Sequence, residues 1–131
     1  PIRIGPGLRD QAAKRILESS DKMLVRFRDQ PPPDLGQSHE YGRQLARIVC
    51  AECHNSSLQG FAEFTPNLDI AGAYGAGELE TLLTTGKGKS KPDLGLMSDS
   101  AKDRFAKFTP GERQAIIAYV KAQAEQSAPT R

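Results

Sequence analysis

Long apolar runs are absent from the 131 residues, so no segment is a candidate to cross a bilayer as a helix. A charge imbalance is nearly absent too. Lys and Arg number 18 against 16 Asp and Glu, and a formal net charge of +2 makes no case for a nucleic-acid partner. Alternating strand patterns are missing, as is any internal repeat, which leaves helical periodicity as the organising signal. No secretory leader pattern is visible at Pro1. Hydrophobic residues make up 37%, a modest core to which a buried cofactor would add apolar surface. Cysteine, histidine and methionine are scarce, with two of each, so any chemistry that uses them has few candidates.

Both cysteines fall in one pentapeptide, Cys50-Ala51-Glu52-Cys53-His54. Three chemistries compete for it. A redox-active dithiol usually sits beside a βαβ pattern, which this sequence lacks. Zinc takes four ligands, a histidine adjoining the second cysteine is poorly spaced for one tetrahedral site, and His39 is the other histidine. Haem attachment uses every group present: two thiols for thioethers and the adjoining imidazole for iron. The pentapeptide therefore points to one haem c bonded through Cys50 and Cys53, with His54 on the iron. Attachment of this kind implies export, so a signal peptide or membrane anchor removed ahead of Pro1 is expected. Pro1 would be unusual just after a cleavage site, which favours a trimmed chain or a fragment of a larger one.

The chain divides into residues 1–37, an N-terminal helical extension with a proline-rich linker, and residues 38–131. Leu8, Ala12, Ile16, Met23, Leu24 and Phe27 recur at helical spacing and predict a helix over about 7–28. Pro31-Pro32-Pro33 stops it and reads as a stiff extended spacer. The extension holds seven Lys/Arg and five Asp/Glu, the remainder eleven of each, so the net charge sits in the extension. Residues 38–50 read as a helix with Leu45, Ile48 and Val49 on its apolar side. Residues 55–75 are loop-like. Gly77 to Thr85 reads as a helix burying Leu79, Leu82 and Leu83, with Gly86 just past its end. A second loop spans 86–98, and a short helix is expected from Ser98 to Phe108. Thr109-Pro110-Gly111-Glu112 is a helix start with capping residue, proline at the first position and capping-box glutamate. That helix runs to about Gln126 and buries Ala115, Ile116, Tyr119 and Val120.

With these residues in place, segment 38–126 resembles a small monohaem cytochrome c of the His/Met type. Beyond the pentapeptide, Gly42 lies eight residues before Cys50, where the family places a glycine so that its first and last helices cross closely. Pro66-Asn67-Leu68 begins twelve residues after His54, Gly95-Leu96-Met97 precedes the final helices, and Ala118-Tyr119-Val120 fits an aromatic position on the last helix. Two positions depart: Ala46 stands where an aromatic often packs, and Ser98 follows Met97 where proline is common. The resemblance implies an all-α fold of four or five helices around one covalent haem. It implies Met97 as second iron ligand and the Pro66 carbonyl as acceptor for the His54 ring N–H. That bond would fix the ring and raise its basicity, and a thioether ligand would raise the reduction potential relative to two histidines. Met23 sits in the extension, and His39 is separated from Cys50 by about 16 Å of helix.

The function expected is single-electron transfer rather than enzymic turnover, as a carrier or as the haem subunit or domain of a periplasmic dehydrogenase. The alternative is a haem enzyme or a gas- or peroxide-reactive sensor with an open or labile sixth iron position. Lys87, Lys89 and Lys91 are expected to steer an acidic redox partner, Tyr74 and Arg104 to approach the haem propionates, and Phe61, Phe64, Leu68, Leu83, Leu94 and Leu96 to wall the pocket. A redox donor and acceptor are the expected partners, with docking to a partner subunit or a second copy through residues 7–28. The expected location is periplasmic, with the precursor tethered or free.

Overall fold

The computed structural model of the protein describes residues 3–13, 18–62 and 64–128. The chain forms two compact units, Pro1–Pro31 and Pro32–Arg131.

In the first unit the expected single helix is two: α1 is Pro6–Ala13 and α2 is Ser20–Asp29. Ser19 caps α2 in an extended conformation, φ −68° and ψ 149°. Ser19 makes no side-chain cap bond, so its short polar side chain only weakens the local preference for helix. The side chains of Leu8, Ala12 and Ile16 lie outside the described residues. Helix α2 buries none of its side chains, and Met23, Leu24 and Val25 are all exposed.

The second unit is built from helices, with α3 Glu40–Val49, α4 Ala51–His54, α5 Ala76–Thr85, α6 Leu96–Asp103 and α7 Pro110–Ser127. Single 3₁₀ stretches occupy Gln37–His39, Leu68–Ala73 and Phe105–Lys107. Among the described residues the nearest thing to a sheet is one isolated bridge between Phe61 and Thr65. The all-α expectation holds. The second unit includes Pro32, which is fully buried. Its carbonyl accepts from Arg43 Nε at 2.8 Å, and that of Pro33 from Tyr119 Oη at 2.6 Å. The proline run is thus partly a packed edge of the second unit.

Helix α3 crosses α7 closely. A Cβ on Gly42 would lie 2.1 Å from the Ala115 carbonyl oxygen and 2.9 Å from the Tyr119 Cβ, so only hydrogen fits there. Ala46, one turn on, is fully buried. The face of α3 packed on α7 is this small-residue stripe, whereas Leu45 and Val49 are half-buried and Ile48 is 70% exposed. Backbones that approach so closely leave room for small side chains alone, which also accounts for alanine at 46.

Helix α7 starts as its sequence dictates. Thr109 Oγ1 accepts from Glu112 N at 3.2 Å, while the Glu112 carboxylate accepts from Thr109 N at 3.1 Å. It buries Ile116, Ile117, Tyr119, Val120 and Ala124, while Ala115 is half-buried. Each fully buried Ile or Val side chain contributes roughly 1.5–3 kcal/mol. Helix α5 buries Leu79, Leu82 and Leu83 and ends at Gly86, whose left-handed backbone (φ 77°, ψ 4°) sends its N–H to Leu82 O at 2.8 Å. The helix expected from Ser98 starts earlier, at Leu96, and stops at Asp103 before the Phe105–Lys107 turn. Gly95, at φ 68° and ψ −125°, makes the turn into it.

Candidate functional site

The pentapeptide occupies α4 and the residue before it. Cys50 precedes the helix, and its carbonyl accepts from Cys53 N at 3.2 Å and His54 N at 2.8 Å. This single turn places both thiols and the imidazole on one short segment. Cys50 is buried and Cys53 half-buried. Burial first, and the charge of Cys53 second, push the Cys50 thiol up to about 12. A disulfide reductase needs the opposite, a thiolate stabilised near neutral pH. Cys50 is therefore held as the neutral thiol and is not the attacking thiolate of a dithiol exchange.

His54 is buried, and its Nδ1 lies 3.0 Å from the carbonyl oxygen of Pro66. A carbonyl only accepts, so Nδ1 carries the proton and the lone pair of the neutral ring is on Nε2. Burial lowers the imidazole pKa, opposed by this hydrogen bond, and so favours the neutral ring. Neutral imidazole with one nitrogen anchored and the other bearing a lone pair is the donor set an iron ligand requires. The residues present fit a haem iron.

The loop between His54 and Pro66 is built to return the chain to the ring. Asn55 ends α4 with φ 73°, its Nδ2 donates to Gly60 O at 3.1 Å, and its Oδ1 accepts from Ser56 N at 2.8 Å. Gly60 N donates to His54 O at 2.7 Å, and Leu68 N to Leu58 O at 2.9 Å. Gly60 has φ 81°, and a Cβ there would lie 2.5 Å from Thr65 O and 2.6 Å from the Pro66 carbonyl carbon. A side chain at 60 would push Pro66 away from His54. Asn55 and Gly60 were not singled out in the sequence, although asparagine and glycine after a short helix are the residues that tolerate positive φ.

Met97 stands on a different element. It is half-buried in the first turn of α6, which packs against α5 and the Phe105–Lys107 turn. The expectation had placed it in a loop. The next residue, Ser98, is buried and donates from Oγ to Gly86 O at 2.5 Å while accepting from Leu94 N at 2.8 Å. The expected lysine cluster is divided. All three lysines are exposed, and Lys89 Nζ also donates to Ala73 O at 2.7 Å and pairs with Glu78 at 3.3 Å. Lys89 N also donates to the Tyr74 hydroxyl at 3.3 Å. Arg104 pairs at 3.3 Å with Glu52, one of the two residues between the cysteines. His39 ends the 3₁₀ turn before α3 and makes no side-chain cap bond there. Of the expected wall residues, Leu83 is buried, Phe61, Leu68 and Leu94 are half-buried, and Phe64 and Leu96 are 56% and 70% exposed.

Arg113 was also not anticipated. It is buried, its Nε donates to Glu80 Oε1 at 2.8 Å, and its Nη1 reaches the Phe105, Ala106 and Phe108 carbonyls. It ties α7 to α5 and to the turn that follows α6. Nothing in local periodicity marks such a residue, because its partners are distant in sequence.

No curated protein and no solved structure matches the chain significantly. The family model described as "Cytochrome c" matches residues 39–124, about two-thirds of the chain and all of α3 through α6. The chain belongs to the cytochrome c family, and its cofactor is a covalently attached haem c with its iron.

Proposed function

We propose that the protein is a His/Met-ligated single-electron carrier, working alone or as the haem subunit or domain of a periplasmic dehydrogenase. In this reading Cys50 and Cys53 form the thioethers, and His54 and Met97 are the axial ligands. Haem, when bound, supplies an iron that takes up and releases one electron. Cys50 and Cys53 prevent loss of the cofactor during turnover. His54 presents Nε2 in a fixed ring orientation, because Pro66 holds Nδ1–H. Met97 presents a neutral, soft sulfur that favours the reduced state.

The observation that carries the reading is the 3.0 Å bond between His54 Nδ1 and Pro66 O, made by a loop whose glycine and asparagine serve that approach. A buried, anchored imidazole beside two thioether-forming cysteines suits electron transfer. Export to the periplasm accords with thioether attachment. The exposed apolar residues of α2, Met23, Leu24 and Val25, suit docking of residues 7–28 on a dehydrogenase subunit or on a second copy.

The test is a pair of methionine substitutions. Met97→Ala should abolish the weak far-red band of the oxidised protein, lower the potential, and open the iron to cyanide and carbon monoxide. Met23→Ala should change none of these. The reverse pattern would assign the sixth position to the wrong methionine, and indifference to both would favour the open-site sensor or enzyme.

A further inference from the structure

The segment from Gly86 to Met97 contains three glycines and three lysines, a composition with high conformational entropy. Yet the two ends of the segment meet. A Cβ on Gly86 would lie 2.6 Å from Ser98 O, so the C-terminus of α5 and the start of α6 touch backbone to backbone. The Ser98 hydroxyl, on a residue 4% exposed, closes that contact. It donates to Gly86 O at 2.5 Å and accepts from Leu94 N at 2.8 Å. Asp93 Oδ1 accepts from Gly95 N at 2.8 Å and shapes the turn between them.

We infer that Ser98 is a positioning residue for Met97: its hydroxyl locks the 86–97 loop at both ends and so sets how often Met97 leaves the iron. This rests on the reading of Met97 as the sixth ligand. The chemistry selects a hydroxyl at this position. One small side chain must donate to a carbonyl and accept from an amide at once, which proline or alanine cannot do. Removing it strands a buried carbonyl and an amide whose pairing holds the residue next to the ligand.

The experiment follows cyanide binding to the oxidised holoprotein by stopped flow. At high cyanide the observed rate becomes limited by release of Met97. Ser98→Ala should raise that limiting rate by about tenfold or more, the consequence of losing two bonds at a site where each 1.4 kcal/mol is a factor of ten. It should also weaken the far-red band. Val120→Ala, a cavity in α7, serves as the stability control. It should lower the melting temperature at least as far while leaving the limiting rate within about threefold. Ser98→Cys keeps a weak donor of similar reach and should give an intermediate rate. If the alanine variant fails to load haem, the cysteine variant must still exceed Val120→Ala. A limiting rate for Ser98 variants no faster than that of Val120→Ala would overturn the inference. The ligand reading is checked separately with Met97→Ala, in which the rate should rise linearly with cyanide and show no limit. A limit that survives in Met97→Ala would overturn the reading itself.

Discussion

The phenol of Tyr119 on α7 donates to the carbonyl of Pro33 at 2.6 Å, joining residues 86 positions apart, while Arg43 holds Pro32 beside it. The first two acceptors of the second unit therefore lie inside the proline run. Deleting residues 1–31 should leave the haem spectrum and melting temperature unchanged. Deleting residues 1–33 removes two hydrogen-bond acceptors and the buried Pro32, at about 2 kcal/mol for the bonds alone. For a unit of this size that lowers the melting temperature by about 10 °C. Light scattering on the 1–31 deletion tests the docking role of the first unit, which requires the loss of a dimer or a partner complex.

Tyr119 also gives the protein an alkaline limit. Burial raises its phenol from 10.0 to about 12, with Arg43 opposing and Glu40 and Asp34 reinforcing. Between those values the unfolded chain has lost the proton that the folded protein keeps. Stability from this group is complete below about pH 10 and falls as pH rises toward 12. Tyr119→Phe should cost about 1 kcal/mol at pH 7 through the lost bond to Pro33. It should then show a shallower decline above pH 10 than the native protein, measured by denaturant unfolding of the reduced form. Parallel declines would contradict the assignment.

Gly42→Ala tests the close crossing of α3 and α7. Alanine gains about 1 kcal/mol in an exposed helix. Here its Cβ would stand 2.1 Å from the Ala115 carbonyl, and overpacking of a close contact costs about 1–3 kcal/mol. The net result should be a lower melting temperature with the His54 environment preserved. A stabilised Gly42→Ala variant would show that the helices are free to separate.

These cases separate what was legible in the sequence from what was not. Local chemistry was legible: the Thr109–Glu112 capping box, Gly86 as a left-handed cap, and the pentapeptide with its restricted set of uses. The family resemblance suggested Pro66 opposite His54 and glycine at 42. Tertiary partners were hidden. The proline run displayed its stiffness but not the side chains that its carbonyls would meet. On α3 the large apolar residues suggested the packed face, whereas a close crossing buries the small ones. Ser98 looked like a departure from a pattern until its two partners, distant along the chain or across a turn, came into place. The break at Ser19 was masked by an apolar spacing that continues across it.

The division of the lysine loop predicts two behaviours. Lys87→Glu with Lys91→Glu should slow electron exchange with the anionic reagent hexacyanoferrate at low salt. Little difference should remain once the screening length falls to about 8 Å near physiological ionic strength. Lys89→Glu should also lower thermal stability, because it removes the links to Ala73 and Glu78. A salt-independent slowing in the double variant would point to altered structure rather than steering.

Voltammetry of the holoprotein tests the electron-carrier account most directly. A single reversible one-electron wave is predicted, unmoved by carbon monoxide and without catalytic current in peroxide, with the wave of Met97→Ala lying at lower potential and shifting under carbon monoxide. A native wave that shifts with carbon monoxide, or turns catalytic with peroxide, would contradict the account and assign the protein an open iron position.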